Sequence, residues 1–187
     1  MTLEPMIDSA LEELGRALRS VDEGSLARLQ EMLRETERIF VAGRGRSGLQ
    51  MSGFAMRLMH MGLAVHVVGD VTTPGIAAGD LLVIGSGSGY TASLAGYATR
   101  ARDLGARVAL ITAAEHSPIG DAADCVVRMD APTPKLPQNY DISASILPMG
   151  SLFELALGLL LDLVILQLMR DLTIDGARMF ARHANLE

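Results

Sequence analysis

A chain of 187 residues with 49% hydrophobic content is long enough for one domain with a sizeable core and too short for two ordinary ones. The net charge of -6 leaves no electrostatic footprint for nucleic acid or for an anionic membrane, and 4% aromatics without tryptophan argue against stacking platforms for bases or sugar rings. The single cysteine, Cys125, excludes an internal disulfide and fits a reducing, cytoplasmic compartment. The opening residues, MTLEPMIDSALEELG, carry neither a basic segment nor an apolar run, so no secretory signal is expected.

In chain order, Ile7, Leu11, Leu14, Leu18 and Val21 form one stripe of an amphipathic helix. Gly24-Ser25 offers a cap, and Leu26, Leu29 and Leu33 make a second stripe. Short apolar runs then alternate with helical stretches. The runs are Ile39–Ala42, Ala64–Val68, Leu81–Ile84, Val108–Thr112 and Cys125–Met129, and the helical stretches include Leu49–Met61 and Thr91–Leu104, with Gly105 as a stop. Runs that are continuously apolar are strands buried on both faces, and helical crossovers between them make the sheet parallel. A polar, proline-bearing loop follows over Asp130–Ser145, holding Pro132, Pro134 and Pro137; loops of that length are functional or mobile. Two helices, about Gly150–Asp171 and Ile174–Ala184, close the chain. One domain is expected over 1–187: N-terminal helices over 1–37, an α/β core over 38–130 and C-terminal helices over 146–187.

The segment Leu152–Met169, LFELALGLLLDLVILQLM, has the length of a membrane span. It carries Glu154 and Asp162, and a carboxylate at membrane depth costs roughly 2.5–3.5 kcal/mol. A helix buried in the core or between subunits is the better reading.

Two glycine-rich turns follow strands. Gly43-Arg44-Gly45-Arg46-Ser47-Gly48 comes after the first, and Gly85-Ser86-Gly87-Ser88-Gly89-Tyr90-Thr91 after the third. In an open parallel sheet, ligands bind beyond the carboxyl ends of the strands, where strand order reverses. Backbone N–H groups, a helix N-terminus and hydroxyls together suit a phosphate. Ser86, Ser88 and Thr91 can point inward from one loop, and Ser47 can join them from the other. The first turn lacks the third glycine of a dinucleotide turn and the Lys-Ser/Thr of a nucleotide loop, and Asp70 sits too far past the second strand to serve a ribose. Two hydroxyl-bearing loops favour a small phosphorylated ligand. The hydroxyls of Ser88 and Thr91 are also candidate helix caps, and Arg46 and Arg57 candidate ion pairs, with Arg46 taken as a ligand contact. The four histidines, His60, His66, His116 and His183, show no metal-binding spacing with one another or with Cys125. His60 and His66 read as structural, and the eleven methionines as core filler and subunit packing.

The serine turn after the first strand and S-x-S-x-x-T after the third resemble the phosphate cradle of the SIS (sugar isomerase) fold. Four further blocks are similar to the 6-phospho-3-hexuloisomerases: Phe54–His60 (FAMRLMH), Val68–Pro74 (VGDVTTP), Pro148–Glu154 (PMGSLFE) and Arg182–Glu187 (RHANLE). The likeness runs from about Ile39 to the C-terminus. It implies a five-stranded parallel sheet sandwiched between helices, a flavodoxin-like three-layer αβα arrangement, and a homotetramer with active sites shared between subunits. It implies a cofactor-free isomerase that interconverts D-arabino-hex-3-ulose 6-phosphate and fructose 6-phosphate, following the aldol step that fixes formaldehyde in the ribulose monophosphate pathway. Arg46, Ser47, Ser86, Gly87, Ser88, Gly89, Tyr90 and Thr91 then hold the phosphosugar, Glu154 is the proton-transferring base and His183 assists. Tyr90 departs from the acidic residue common in S-G-S-G-E-T, and Leu152 stands near a position where the family often has Thr.

Without that likeness, Glu154 reads as an ordinary first-turn helix carboxylate and His183 as an exposed histidine. Two rival functions stand beside the first: another phosphosugar aldose–ketose isomerase, and a sensor that binds phosphosugar without turnover. A sensor of that kind usually carries a DNA-binding helical unit, and the acidic stretch before Ile39 lacks a basic recognition helix.

Overall fold

The computed structural model describes residues 2–133, 135 and 145–186; Pro134, Pro137 and most of the expected proline-bearing loop lie outside the described residues, as does Glu187. The five apolar runs become β1 (Arg38–Gly43), β2 (Ala64–Val67), β3 (Leu81–Gly85), β4 (Arg107–Thr112) and β5 (Cys125–Arg128). All pair in parallel, in the order β2-β1-β3-β4-β5. Val41 lies between Val67 and Val83, and Ile111 between Gly85 and Val127, so the register stacks aliphatic residues across the sheet. The central strand β3 is buried at every residue, as a strand covered on both faces must be.

Alternation along the strands divides the core into two layers. Ile39, Val41, Leu81, Val83, Ala109, Ile111 and Val127 face α1 (Leu3–Arg19), α2 (Glu23–Glu35), α3 (Gly45–Met61) and α6 (Ser151–Asp171). Phe40, Ala42, Leu82, Ile84, Val108 and Leu110 face α4 (Ala92–Asp103) and the short α5 (Pro118–Asp121). The result is the expected flavodoxin-like three-layer αβα sandwich.

Several details depart from the sequence reading. The cap of α2 is Asp22, whose carboxylate accepts from the Ser25 N–H at 2.7 Å, rather than Gly24-Ser25. α5 has four residues, too few for any periodicity to announce it. The last helix, α7, spans only Gly176–Phe180 instead of Ile174–Ala184. Thr173 takes a left-handed φ of 53°, Asp175 caps the helix from the Arg178 N–H at 2.8 Å, and short turns through Arg182 and His183 end it. In the α1 stripe, Leu14 and Leu18 pack on the core but Ile7 and Leu11 are exposed.

Helix α6 is long and apolar enough to cross a membrane, the one such helix among the described residues, and half of its most apolar stretch is buried within the fold. Phe153, Leu157, Leu160, Leu161, Val164 and Leu168 are in the core, while Leu155, Leu159, Leu163 and Leu166 are 38–46% exposed on the other side. Cys125 is free and buried, its Sγ 3.5 Å from the Ser25 carbonyl oxygen of α2.

Candidate active site

From β1 the chain turns through α3 to β2 on one side, then crosses back through β3 to the other side of β1. Strand order therefore reverses between β1 and β3, and the crevice at their carboxyl ends lies between the starts of α3 and α4, which cover opposite faces. The turn out of β1 is tight. A Cβ on Gly43 would come within 2.8 Å of Gly48 Cα, so the chain can only fold into α3 here with glycines at both places. α3 accordingly starts at Gly45, earlier than the apolar pattern from Leu49 implied, and brings Arg46 and Ser47 into its first turn.

The turn out of β3 is held by its own hydroxyls and by β4. Ser86 Oγ accepts from the Gly89 N–H and Ser88 Oγ from the Tyr90 N–H, both at 3.2 Å. The Thr112 hydroxyl donates to the Gly87 carbonyl oxygen at 3.1 Å. Gly89 has φ 67°, and a Cβ there would meet Ser117 Oγ at 2.2 Å, so only glycine lets the loop lie against α5. Ser86 and Ser88 are buried. In these loop bonds each hydroxyl serves only as acceptor, which leaves its proton able to donate. Thr91 is the N-cap of α4 but makes no side-chain cap bond, so the capping alternative fails for Thr91.

A cavity of about 370 Å³ opens at this crevice. Its walls include Arg46, Ser47, Ser86, Gly87, Ser88, Thr91 and Glu154 of the expected site residues, together with Arg44, Thr133, Lys135 and the stretch Pro148–Ser151. Gly89 and Tyr90 are not among the lining residues: Gly89 turns toward Ser117, and Tyr90 is exposed. Across the cavity the Arg46 guanidinium Nε pairs with Glu154 Oε2 at 2.5 Å. Glu154 enters from the first turn of α6, its own N–H donating to the Gly150 carbonyl at 3.1 Å. Arg44, the residue before α3, instead reaches α4, donating to Ser93 Oγ at 3.2 Å and Tyr97 Oη at 2.6 Å. Three cations and one carboxylate thus line the cavity of a chain that is acidic overall, a local field that suits an anion.

His183 is elsewhere. Its ring stacks 5.3 Å from that of buried His60 and 5.8 Å from Phe180, at the far end of α3 from Arg46. Fourteen residue steps of helix lead from Arg46 to His60, about 21 Å along the axis. Within one chain, then, His183 and Glu154 are not brought together. Sequence reasoning named Arg46 and Glu154 separately and missed their pairing. It passed over Arg44, which stood in the same glycine turn, and Lys135, which stood in the proline-bearing loop. Among the described residues, no group of three or more His, Cys, Asp or Glu side chains could hold a metal ion.

Comparison with known proteins identifies the SIS domain over residues 32–158. The chain is 45% identical over 177 residues to the 3-hexulose-6-phosphate isomerase of Bacillus subtilis, covering 95% of each chain. It is 42% identical to the enzyme of that name from Mycobacterium gastri, covering 94% of this chain and 87% of that one. Among solved structures, a Methanococcus jannaschii protein for which a 3-hexulose-6-phosphate isomerase function was inferred superposes with a TM-score of 0.84 at 32% identity, covering 99% of this chain and all of its own.

Proposed function

The chain belongs to the SIS-domain family, among the 3-hexulose-6-phosphate isomerases, and from that premise we propose that it interconverts D-arabino-hex-3-ulose 6-phosphate and fructose 6-phosphate in the cavity between α3, α4 and α6. The observation that carries the reading is the Arg46–Glu154 pair facing a hydroxyl-lined cradle in one cavity of hexose-phosphate size.

The chemistry follows from what the atoms require. Moving the carbonyl from C3 to C2 takes a proton off C2, leaves a 2,3-enediolate and returns a proton to C3. One carboxylate on one side of the sugar can do both transfers, and a cation beside the oxygens stabilises the enediolate. Glu154 is the base and Arg46 the cation. In the free protein the two neutralise each other; a bound sugar inserts its C2–C3 oxygens beside the guanidinium and its C2–H toward the carboxylate. Ser47, Ser86, Ser88 and Thr91 donate to the phosphate, with the first amides of α4 behind them. Gly87 lets the backbone approach, and Gly89 and Tyr90 shape the loop from outside.

His183 assists from a second copy of the chain, because its own Glu154 is out of reach, and the exposed leucines of α6 supply the surface that brings copies together. The working assembly is a homotetramer, and the enzyme is cytoplasmic, acting after a formaldehyde-fixing aldol step.

The test is direct. Incubation with fructose 6-phosphate should yield the hex-3-ulose phosphate, and in deuterated water the recovered sugar should carry deuterium at C2 or C3. Glu154→Gln removes the base but keeps the size, so kcat should fall by about 10²–10⁴-fold while sugar-phosphate binding survives. Retention of more than roughly a tenth of wild-type kcat, with chemistry rate-limiting, would make Glu154 structural and His183 the leading base.

A further inference from the structure

Of the four carboxylates on α1, Glu4, Asp8 and Glu12 are exposed, while Glu13 is buried. A buried carboxylate needs partners, and both its oxygens have one. Oε2 accepts from the Ser145 hydroxyl at 2.5 Å and Oε1 from the Ile146 N–H at 3.0 Å. Ser145 Oγ in turn accepts from the Leu147 N–H at 3.0 Å. The next residues, Pro148, Met149 and Gly150, are cavity wall.

That wall is held in a conformation it would not choose alone. Met149 has φ 56°, a left-handed geometry that costs a non-glycine residue about 1–2 kcal/mol and persists only when its surroundings enforce it. Downstream, the Ser151 N–H donates to the Pro148 carbonyl at 3.1 Å and ties the turn to α6. Upstream, the anchor is Glu13. The wall is thus clamped between α6 and a carboxylate on α1, an element outside the matched SIS segment.

We propose that Glu13 is a positioning residue for the sugar side of the cavity: it fixes Pro148–Gly150, the wall adjoining Glu154, without touching the ligand. The phosphate cradle stands on the β1 and β3 turns, whereas the hydrogen bonds of Glu13 go to Ser145 and Ile146, so the two halves of the site respond differently to its loss. This rests on the cavity being a phosphosugar site.

Calorimetric titration of the full chain with fructose 6-phosphate and with inorganic phosphate separates the cases. Glu13→Ala should weaken fructose 6-phosphate roughly tenfold, the scale of a lost charged hydrogen bond, and leave phosphate within about twofold. Glu13→Gln, whose amide oxygen still accepts from the Ile146 N–H, should recover most of the loss, and Glu12→Ala, on the exposed neighbour, should change neither ligand. Should Glu13→Ala fail to fold by circular dichroism, Ser145→Ala removes one arm of the same clamp and should show the same selective loss, smaller. Equal weakening of both ligands would mean general loosening and would overturn the proposal, as would unchanged binding of both. A wild type that binds fructose 6-phosphate no better than phosphate would sink the phosphosugar reading itself, whereas selective wild-type binding with an unaffected Glu13→Ala removes only the role of Glu13.

Discussion

His60 occupies the last turn of α3, buried, with the His183 ring stacked on it and Arg57 one turn back. Desolvation chiefly, and the charges of His183 and Arg57 after it, hold its pKa below the ordinary 6.5. As pH falls through 6.5, the unfolded chain takes up this proton before the folded one does, and stability drops until the lowered folded pKa is passed. Above 6.5 both states are neutral there and the contribution is flat. The thermal midpoint of the wild type should therefore decline between roughly pH 7 and pH 5, and a His60→Gln variant should decline less. Parallel curves for the two proteins would place the acid sensitivity elsewhere. At this scale, legibility in the sequence depended on distance along the chain. Ser86, Ser88 and Thr91 could be read together because they share one turn. The Glu13–Ser145 contact joins residues 132 apart and leaves no local pattern. The Arg46–Glu154 pair was equally silent, since a pairing of that kind exists only after α6 has packed on α3.

Helix α6 presents the clearest case at the scale of elements. Its nearly uniform apolarity announced burial on more than one side, and the fold covers only one, leaving Leu155, Leu159, Leu163 and Leu166 outward. On α1, which packs against α6, Leu3, Ile7 and Leu11 are likewise exposed, so two adjoining helices offer apolar surface beyond what single side chains account for. In the proposed homotetramer, further copies of the chain would cover it. Sedimentation equilibrium at micromolar concentration should give a multiple of the chain mass, and Leu159→Lys with Leu163→Lys should shift it toward monomer; a wild type that stays monomeric would contradict the interface. The strands were legible because a parallel sheet covered on both faces writes itself as continuous aliphatic runs. Helix ends were legible in part: those at Met61 and Asp171 fall where the pattern put them, while the start of α3 and both ends of α7 do not. Capping by Asp22 and the reversal at Thr173 are settled by one or two hydrogen bonds apiece, below the resolution of periodicity.

Across the whole molecule, the site draws on turns from the early, middle and late thirds of the chain, and opening any layer of the sandwich would dismantle it. The lone thiol offers a way to watch that happen. Cys125 lies on the edge strand β5 beneath α2, and burial pushes its pKa up, so in the folded protein it is both shielded and poorly nucleophilic. A chain without tryptophan gives little fluorescence signal on unfolding, but this sulfur can be alkylated only once per molecule, and only after α2 has lifted away. Pulse labelling with iodoacetamide across a urea series should give one adduct by mass, with a rate that rises with the unfolded fraction. If labelling already runs fast in plain buffer, α2 detaches by itself while the rest of the sandwich stays closed, and the cysteine becomes a gauge of that partial opening.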